Sequence, residues 1–379
     1  MLNRTQSDPM RILLVGNYEP DGLKSMRCYT DWVERVLKSA GCQVTVIRAQ
    51  PFFSRLARRR GLKKYLGYLD KFLLFPPRLR RAANQHDLVH VLDHSNSMYL
   101  RAVRGKPNLI TCHDVLAIRE ARGDFPGSTM GWSGKLLQRW ILSGLKGARH
   151  ILCVSEKSAS DLKSVTGETG ADVRVVYNTL NWSYGPGAAI PADLAARLGI
   201  SSRESYLLQV GGNGWYKNRT GVMRIFARLA ELEEFSTAKL IMAGSAWTPA
   251  MRSVVREERL EGRVIEAVDV SNEELQALYC NALALLFPSL EEGFGWPIIE
   301  AQACGCPVIA TGRPPMSEVA GEGGAILIDP GDTQGAADAI AAGLKQRETL
   351  CAAGFSNLKR FDEATIVEKY LAFYESILG

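Results

Sequence analysis

Residues 283–311 read LALLFPSLEEGFGWPIIEAQACGCPVIAT, and this one run holds a strand, a loop, a short helix and a second strand. Leu283–Phe287 and Val308–Thr311 are apolar stretches of strand length, the pattern of strands buried on both faces. Between them, Pro297 suits the first turn of a helix and Gly305 suits its end. A strand, a helix and a second strand in close succession imply parallel neighbours joined by a crossover. The intervening loop then lies at the carboxyl end of a strand. The amides of Gly293, Phe294 and Gly295 are expected there to meet an anion or sugar hydroxyls at a helix N-terminus.

The same alternation extends outward in both directions. Ala325–Ile328 reads as one more strand, and Glu363–Leu378 has the apolar spacing of an amphipathic helix. Upstream, Tyr206–Val210, Lys239–Ala243 and Val264–Val268 read as strands, and Asn181–Pro191 gathers Gly, Pro and Ala as a linker. Before that linker, Arg11–Gly16, Gln43–Ile47, Asp87–Leu92, Asn108–Thr111, His150–Val154 and Val173–Tyr177 form a first series, with a helix expected over Ser25–Ala40. The pattern predicts an α/β protein of two Rossmann-like, doubly wound domains facing each other across a cleft. A chain of 379 residues can fill two such cores.

Composition narrows the function classes. Hydrophobic residues at 46% and charged residues at 23% are globular values and argue against disorder. No apolar run approaches the ~18 residues of a spanning helix, and the polar start, MLNRTQSDP, lacks a secretory signal's apolar region. The net charge of +6 conceals an asymmetry, because residues 1–190 hold 29 Lys and Arg against 15 Asp and Glu. Most of that excess sits in Pro51–Arg81, which has ten basic residues and one acid, Asp70. Among the eight cysteines only Cys304 and Cys306 are close together, a poor zinc pattern without His nearby. Reduced thiols in a cytoplasmic protein are the expectation.

A second loop, Gly211-Gly-Asn-Gly-Trp-Tyr-Lys-Asn218, joins a strand to a helix starting near Thr220. Its small residues admit an anion to the backbone and Lys217 adds a charge. It is neither G-x-G-x-x-G nor a Walker loop, and a tight turn with a surface lysine accounts for it equally well. Glu292 and Glu300 suit recognition of hydroxyl pairs. They also suit the plainer roles of a dipole partner at a helix start and a solvated helix residue.

Together these segments resemble a known family. Glu292-Gly-Phe-Gly-Trp-Pro-Ile-Ile-Glu300 is similar to the E-x7-E signature of retaining glycosyltransferase family 4, which has the two-domain GT-B fold. Asn272–Ser289, Cys304–Thr311 and Val210–Asn218 resemble its flanking segments, closely over residues 205–330 and more thinly in the first half. The resemblance implies a nucleotide-sugar donor, a glycan or lipid-linked acceptor, hexosyl transfer with retained anomeric configuration, and no metal or other cofactor. It implies an acceptor-binding domain over residues 1–185, a donor domain over 186–358, and a C-terminal helix over 359–379 packing back toward the first.

Carried over by position, Glu300 would hold the donor ribose and Glu292 the donor sugar. Gly293, Phe294 and Gly295 would meet sugar and diphosphate, and Lys217, with Gly212 in its loop, would neutralise the leaving diphosphate. Many members have Arg where this chain has Asn213, so either Arg219 substitutes or one phosphate cation is absent. Thr111-Cys-His-Asp114 resembles the family's His-Asp, so His113 would contact the donor sugar near the reacting carbon; a polar cap is the bland alternative. His113, Lys217 and Glu292 are thus the candidate catalytic residues. Ser155 reads as a helix N-cap. Asn17, Lys24 and His94 are expected to border the acceptor.

The basic stretch carries two readings. Leu62, Tyr65, Leu66, Leu69, Phe72 and Leu73 fall on one helical stripe, with Lys63, Lys64 and Lys71 elsewhere and Arg58, Arg59 and Arg60 before it. One reading is a core-packed helix with a solvated basic face. The other is an anionic membrane surface engaged through residues 55–81, with the protein peripheral on the inner face of the membrane. No nucleic-acid partner is expected, since the aromatics serve the stripe. A nucleotide-sugar 2-epimerase on the same fold and a non-catalytic nucleotide-sugar-binding protein are the alternative functions. The first would need further acid–base residues than five histidines readily supply, and the second would show no turnover.

Overall fold

The computed structural model describes residues 9–56, 60–125, 130–201 and 204–379. The polar start and two arginines of the expected basic surface, Arg58 and Arg59, lie outside the described residues. The chain divides into two units, Met1–Tyr177 with Glu363–Gly379, and Asn178–Asp362.

Unit 1 is built on a parallel sheet of six strands: β1 (Arg11–Val15), β2 (Gln43–Ile47), β3 (Leu88–Val91), β4 (Asn108–Cys112), β5 (His150–Cys153) and β6 (Asp172–Val175). Their order is β2-β1-β3-β4-β5-β6. The direction of winding reverses between β1 and β3, so the loops after those two strands diverge at a switch point. Helix Lys24–Ser39 buries Tyr29, Trp32, Val33, Val36 and Leu37.

The last helix, Glu363–Leu378, buries Ile366, Tyr370, Phe373 and Tyr374 within the same unit. A buried polar chain holds it there. The Tyr374 hydroxyl bonds His90 Nδ1 at 2.7 Å, His90 Nε2 meets Thr111 Oγ1 at 2.8 Å, and Tyr370 bonds Tyr29 at 2.6 Å. Trp32 Nε1 donates to Glu363 Oε2 at 2.9 Å, and Arg35 clamps the same carboxylate. Burial pushes the His90 pKa down to about 3, so the ring is neutral at pH 7. Tyr374→Phe leaves the buried imidazole without that partner and is expected to cost about 1–3 kcal/mol, read as a lower urea midpoint at unchanged slope. An unchanged midpoint would show that this hydrogen bond does not hold the helix.

Unit 2 repeats the plan with β7 (Tyr206–Gly211), β8 (Lys239–Gly244), β9 (Val264–Val268), β10 (Ala284–Phe287), β11 (Val308–Thr311) and β12 (Ile326–Ile328). All pairings are parallel, in the order β12-β11-β10-β7-β8-β9. Counted from its own first strand this is 3-2-1-4-5-6, the order of dinucleotide-binding sheets. Winding reverses between β7 and β10, which are adjacent through Leu207 opposite Ala284 and Leu208 opposite Leu285.

The division falls after Tyr177 and after Asp362, where the sequence suggests 185 and 358. The Gly- and Pro-rich segment is no free linker, because it is hydrogen-bonded along unit 2. Gln276 Nε2 donates to Gly185 O and Asn281 Nδ2 to Ala188 O, at 3.0 and 2.8 Å, and Trp296 Nε1 holds Thr179 O just ahead of the segment at 2.9 Å.

The basic stretch departs from both of its simple readings. Helix Arg60–Leu69 runs into a π-helical turn, Asp70–Leu74, and then helix Phe75–Ala83. The stripe already faces outward at Tyr65 and Leu69 in the regular helix, and the wider turn after Leu69 rotates the inward face again. Tyr65, Leu69 and Leu73 are exposed, whereas Asp70, Phe75 and Leu79 point inward. The core-packed stripe is therefore incorrect. Asp70, the lone acid, accepts from Phe53 N at 2.7 Å, Tyr18 Oη at 2.8 Å and Ser54 N at 3.1 Å. Burial opposes its charge, but these bonds outweigh burial and hold the carboxyl below its ordinary pKa. Among the described residues no helix is long and apolar enough to cross a membrane.

Candidate active site

In unit 2 the loops after β7 and β10 emerge side by side at the switch point, and the chain ties them together. Leu290 N donates to Tyr216 O at 2.7 Å and Asn218 Nδ2 to Pro288 O at 3.1 Å. Lys217 Nζ reaches Glu292 Oε1 at 2.7 Å. The ammonium also lies 5.3 Å from the centre of the Phe287 ring and 5.5 Å from that of Tyr216. Aromatic faces and a single carboxylate thus hold a cation at the mouth of the strand pair.

The β10 loop ends at Gly295, the N-cap of helix Trp296–Ala303, with φ 102°. That left-handed conformation is strained for any residue with a Cβ, so the turn that aims the helix start outward requires glycine. Phe294 is buried beside Trp296 and Phe361, with ring centres 6.1 and 5.7 Å away. Its side chain anchors the loop while its backbone remains at the helix entrance.

Glu300 lies on the same helix and is buried. Its Oε1 accepts from Asn181 Nδ2 at 3.0 Å and its Oε2 from Tyr279 Oη at 2.9 Å. Desolvation pushes its pKa up to about 7, against the pull of Tyr279, Asn181 and Lys217. A solvated helix residue would show none of this, so that reading of Glu300 does not hold.

Asn213 and Arg219 form one cluster. Arg219 Nη1 donates to Asn213 Oδ1 and to Ser245 O at 2.6 Å each, and its Nε donates to Gln209 Oε1 at 3.2 Å. The guanidinium is buried, which lowers its pKa, and its Nη2 has no hydrogen-bond partner. Asn213 therefore orients an arginine rather than standing alone where a cation is missing. Gly212 lies in the same loop, beside Ser245.

Unit 1 gathers a second group at its own switch point. Asn17 Nδ2, after β1, donates to Asp93 Oδ2 at 2.5 Å. His94 Nδ1 lies 3.4 Å from Asp93 Oδ1, and its Nε2 lies 4.0 Å from Asp114 Oδ1. Burial works against the Asp93 charge, but His94, His113 and the Asn17 amide outweigh it and hold the carboxyl low. His113 Nε2 pairs with Leu92 O at 2.9 Å, and Tyr29 meets its ring edge-on, with centres 4.6 Å apart. The following helix has Val115 at its N-cap, and it is Asp114, not His113, that accepts from its first amide, Leu116 N, at 2.9 Å. Ser155 caps its helix through Ser158 N at 3.0 Å. Asn17 and Lys24 line one cavity of about 220 Å³ with Arg27 and Arg48.

Burial lowers the His113 pKa, so the ring is neutral at pH 7 and holds a backbone carbonyl. His113→Ala is expected to retain nucleoside diphosphate affinity within a factor of about two while losing most turnover, on the scale of about 10²-fold or more for an acid–base or positioning group. Calorimetry beside steady-state kinetics separates the two, and a variant with full activity would return His113 to a packing role.

Sequence reasoning missed the roles of three supporting residues. Asn181 sits in the apparent linker, Tyr279 in a segment noted only for its family resemblance, and Asp93 in the Leu92–Ser95 loop, where His94 drew the notice. An Asp flanked by apolar β3 and a His was the one available signal. Among the described residues no group of three or more His, Cys, Asp or Glu is placed to hold a metal ion.

Two family models match the chain, Glycosyltransferase Family 4 over residues 33–182 and Glycosyl transferases group 1 over residues 192–355. The O-antigen chain mannosyltransferase RfbU of Salmonella typhimurium is 29% identical over 233 residues, 61% of this chain. The match spans 59% of that relative's length. The O-antigen chain mannosyltransferase B of Escherichia coli is 29% identical over 77% of this chain and 76% of its own. Among solved structures, sucrose-phosphate synthase from Thermosynechococcus elongatus superposes with a TM-score of 0.74 at 18% identity, covering 97% of this chain and 99% of that one. Anabaena HepE in complex with UDP and glucose gives a TM-score of 0.72 at 19% identity over 97% and 100%.

Proposed function

The chain belongs to glycosyltransferase family 4, and from that membership we propose that it moves a hexose from a nucleotide sugar to a hydroxyl of a cell-surface glycan growing on a lipid carrier. Its fold is GT-B, with two Rossmann-like units in one chain. Retention of anomeric configuration accords with the family. Mannose is the first sugar to test, since both O-antigen relatives are named mannosyltransferases. One relative is named for a diphosphopolyprenol acceptor, which accords with a lipid-borne substrate here.

The observation that carries this reading is the Lys217–Glu292 pair at 2.7 Å, joining the two loops at the β7/β10 switch point. A diphosphate leaving group concentrates negative charge, and stabilising that charge is the largest electrostatic demand of the reaction. Lys217, the helix start at Trp296 and the Arg219 cluster supply positive potential in one place. Glu292, released from Lys217 by the diphosphate, is then free to accept from sugar hydroxyls. Glu300, set by Asn181 and Tyr279, accepts from the ribose. The acceptor hydroxyl belongs to unit 1, with Asn17, Lys24 and His94 at its border.

The test is calorimetric titration with GDP and UDP, followed by incubation with the matching nucleotide sugars. Binding of a nucleoside diphosphate, slow donor hydrolysis and transfer to a glycan with the donor's anomeric configuration are expected. A folded protein that binds neither diphosphate would overturn the reading, and an inverted product would overturn its stereochemistry.

A further inference from the structure

Resting on the reading of a lipid-borne acceptor, we propose that a cavity of about 510 Å³ in unit 1 binds the phosphate of that lipid, with the apolar residues around it lying against the lipid chains. The cavity is lined by Ser54, Lys63, Lys64, Tyr68, Lys71 and Leu137, among others. Asp21 is the one carboxylate among its lining residues, and Lys71 occupies it at 3.0 Å. Lys71 is further held over the Tyr18 and Tyr68 rings, 5.4 and 5.3 Å from their centres. Two ammonium groups, Lys63 and Lys64, are left as uncompensated charge in a concave site, the demand that a phosphate meets.

The surroundings identify the kind of phosphate. Tyr65, exposed, meets Tyr68 edge-on at 6.2 Å between centres, and Tyr68 stacks on Phe72 at 5.5 Å. Phe72 packs on Trp140 at 4.7 Å, joining the basic helix to helix Trp132–Lys146. Trp132 and Leu136 precede Trp140 by two turns and one turn on the same face, and they are 80% and 59% exposed. Phe52 and Leu56, at 63% and 72%, belong to the segment that Asp70 pins through Phe53 and Ser54. Large apolar side chains standing out beside paired lysines are the composition of an interfacial surface. A free phosphate has no use for the apolar rim, and the aliphatic part of that rim, Leu56 and Leu136, offers bases nothing to stack on.

The cavity also lies where a lipid-borne acceptor requires it. Tyr18 lines both this cavity and the neighbouring one containing Asn17 and Lys24. Phosphate in the larger cavity places the attached sugar toward the smaller one.

Flotation with phosphatidylcholine vesicles, with and without a minor fraction of dihexadecyl phosphate, tests the site, with inorganic diphosphate as the soluble comparison, all in a Lys217→Ala background that removes the diphosphate contact of unit 2. The protein is expected to float with the phosphate-bearing vesicles only. The exposed pair Lys63→Gln and Lys64→Gln should weaken that binding about thirtyfold, taking each lysine at the usual worth of one near an anionic surface. Tyr65→Ser with Trp132→Ser should weaken vesicle binding while leaving inorganic diphosphate binding unchanged. Equal binding to both vesicle types, an unaffected lysine variant, or inorganic diphosphate binding as tightly as the doped vesicles would each overturn the proposal. Nucleoside diphosphate affinity of the parent protein reports on unit 2. Vesicle binding without nucleotide binding supports the lipid site and defeats the donor reading, and nucleotide binding without vesicle binding does the reverse.

Discussion

Lys217→Ala is expected to lower turnover by about 10²–10³-fold, the usual cost of removing a group that stabilises transition-state charge. Nucleoside affinity should be retained, and nucleoside diphosphate affinity should fall. The loss has two parts. The ammonium no longer faces the diphosphate, and Glu292 is left without its counter-ion in a site where the two side chains are only 17% and 8% exposed. An unpaired buried carboxylate repels the incoming diphosphate and also destabilises the empty protein, by about 3–5 kcal/mol for a fully buried pair. The partial exposure here places the value toward the lower end. Lys217→Met combined with Glu292→Gln should recover the stability while leaving turnover low. Steady-state kinetics and urea unfolding on the single and double variants provide the check. Turnover within tenfold of the parent in Lys217→Ala would remove Lys217 from the chemistry.

Glu300→Ala is expected to weaken nucleoside diphosphate and nucleotide-sugar binding by more than tenfold, since hydrogen bonds to a charged group are worth about 1.5–3 kcal/mol. The parent should also show a pH dependence centred near neutrality, because burial pushes the Glu300 pKa up to about 7 from 4.5. Only the ionised form offers all its lone pairs to ribose hydroxyls, so affinity should fall as pH drops through that value. Stability moves the other way. A folded-state pKa above the unfolded one means that the native state holds the extra proton between about 4.5 and 7. The contribution is therefore full below the unfolded value and is lost as pH rises through 7. Glu300→Gln should flatten both profiles. Calorimetry and chemical unfolding on either side of neutrality provide the test, and a pH-independent affinity in the parent would reject an ionised Glu300 as the ribose ligand.

Local signals in the chain were enough for the elements and for the donor loops. Gln43–Ile47, Val264–Val268 and Val308–Thr311 have in the structure the bounds their apolar runs suggest. Glycine and proline punctuation likewise marks helix Trp296–Ala303 to within a residue. What remained hidden was non-local. No spacing reveals that β10 pairs with β7, which brings Lys217 to Glu292 across 75 positions. The partners of Glu300 come from 119 and 21 residues away, and one of them lies in a segment whose composition reads as linker. The helical stripe fails before the π-turn at Asp70–Leu74, because apolar spacing marks a helix face without saying whether the fold covers it, and Tyr65 and Leu69 are left exposed. Asp70 itself, an acid among ten bases, looked like a minor exception in a solvated face. Its three hydrogen bonds, two of them buried, make it the fastener of that region.

The return of Glu363–Gly379 to unit 1 bears on how the chain is born. A ribosome releases residues in order, and domains ordinarily fold as they emerge, the first before the second. Here Asn178–Asp362 is a continuous segment and can close its core while synthesis is still under way. Unit 1 begins earlier, but Tyr29, His90 and Thr111 wait for Tyr370 and Tyr374, which follow the whole of unit 2 in the chain. Until then the groove that receives the last helix stays open, with an imidazole and apolar side chains presented to chaperones or to other nascent chains. A stop codon at 363 would remove a single helix from unit 1, yet it would leave that unit permanently at the unfinished stage.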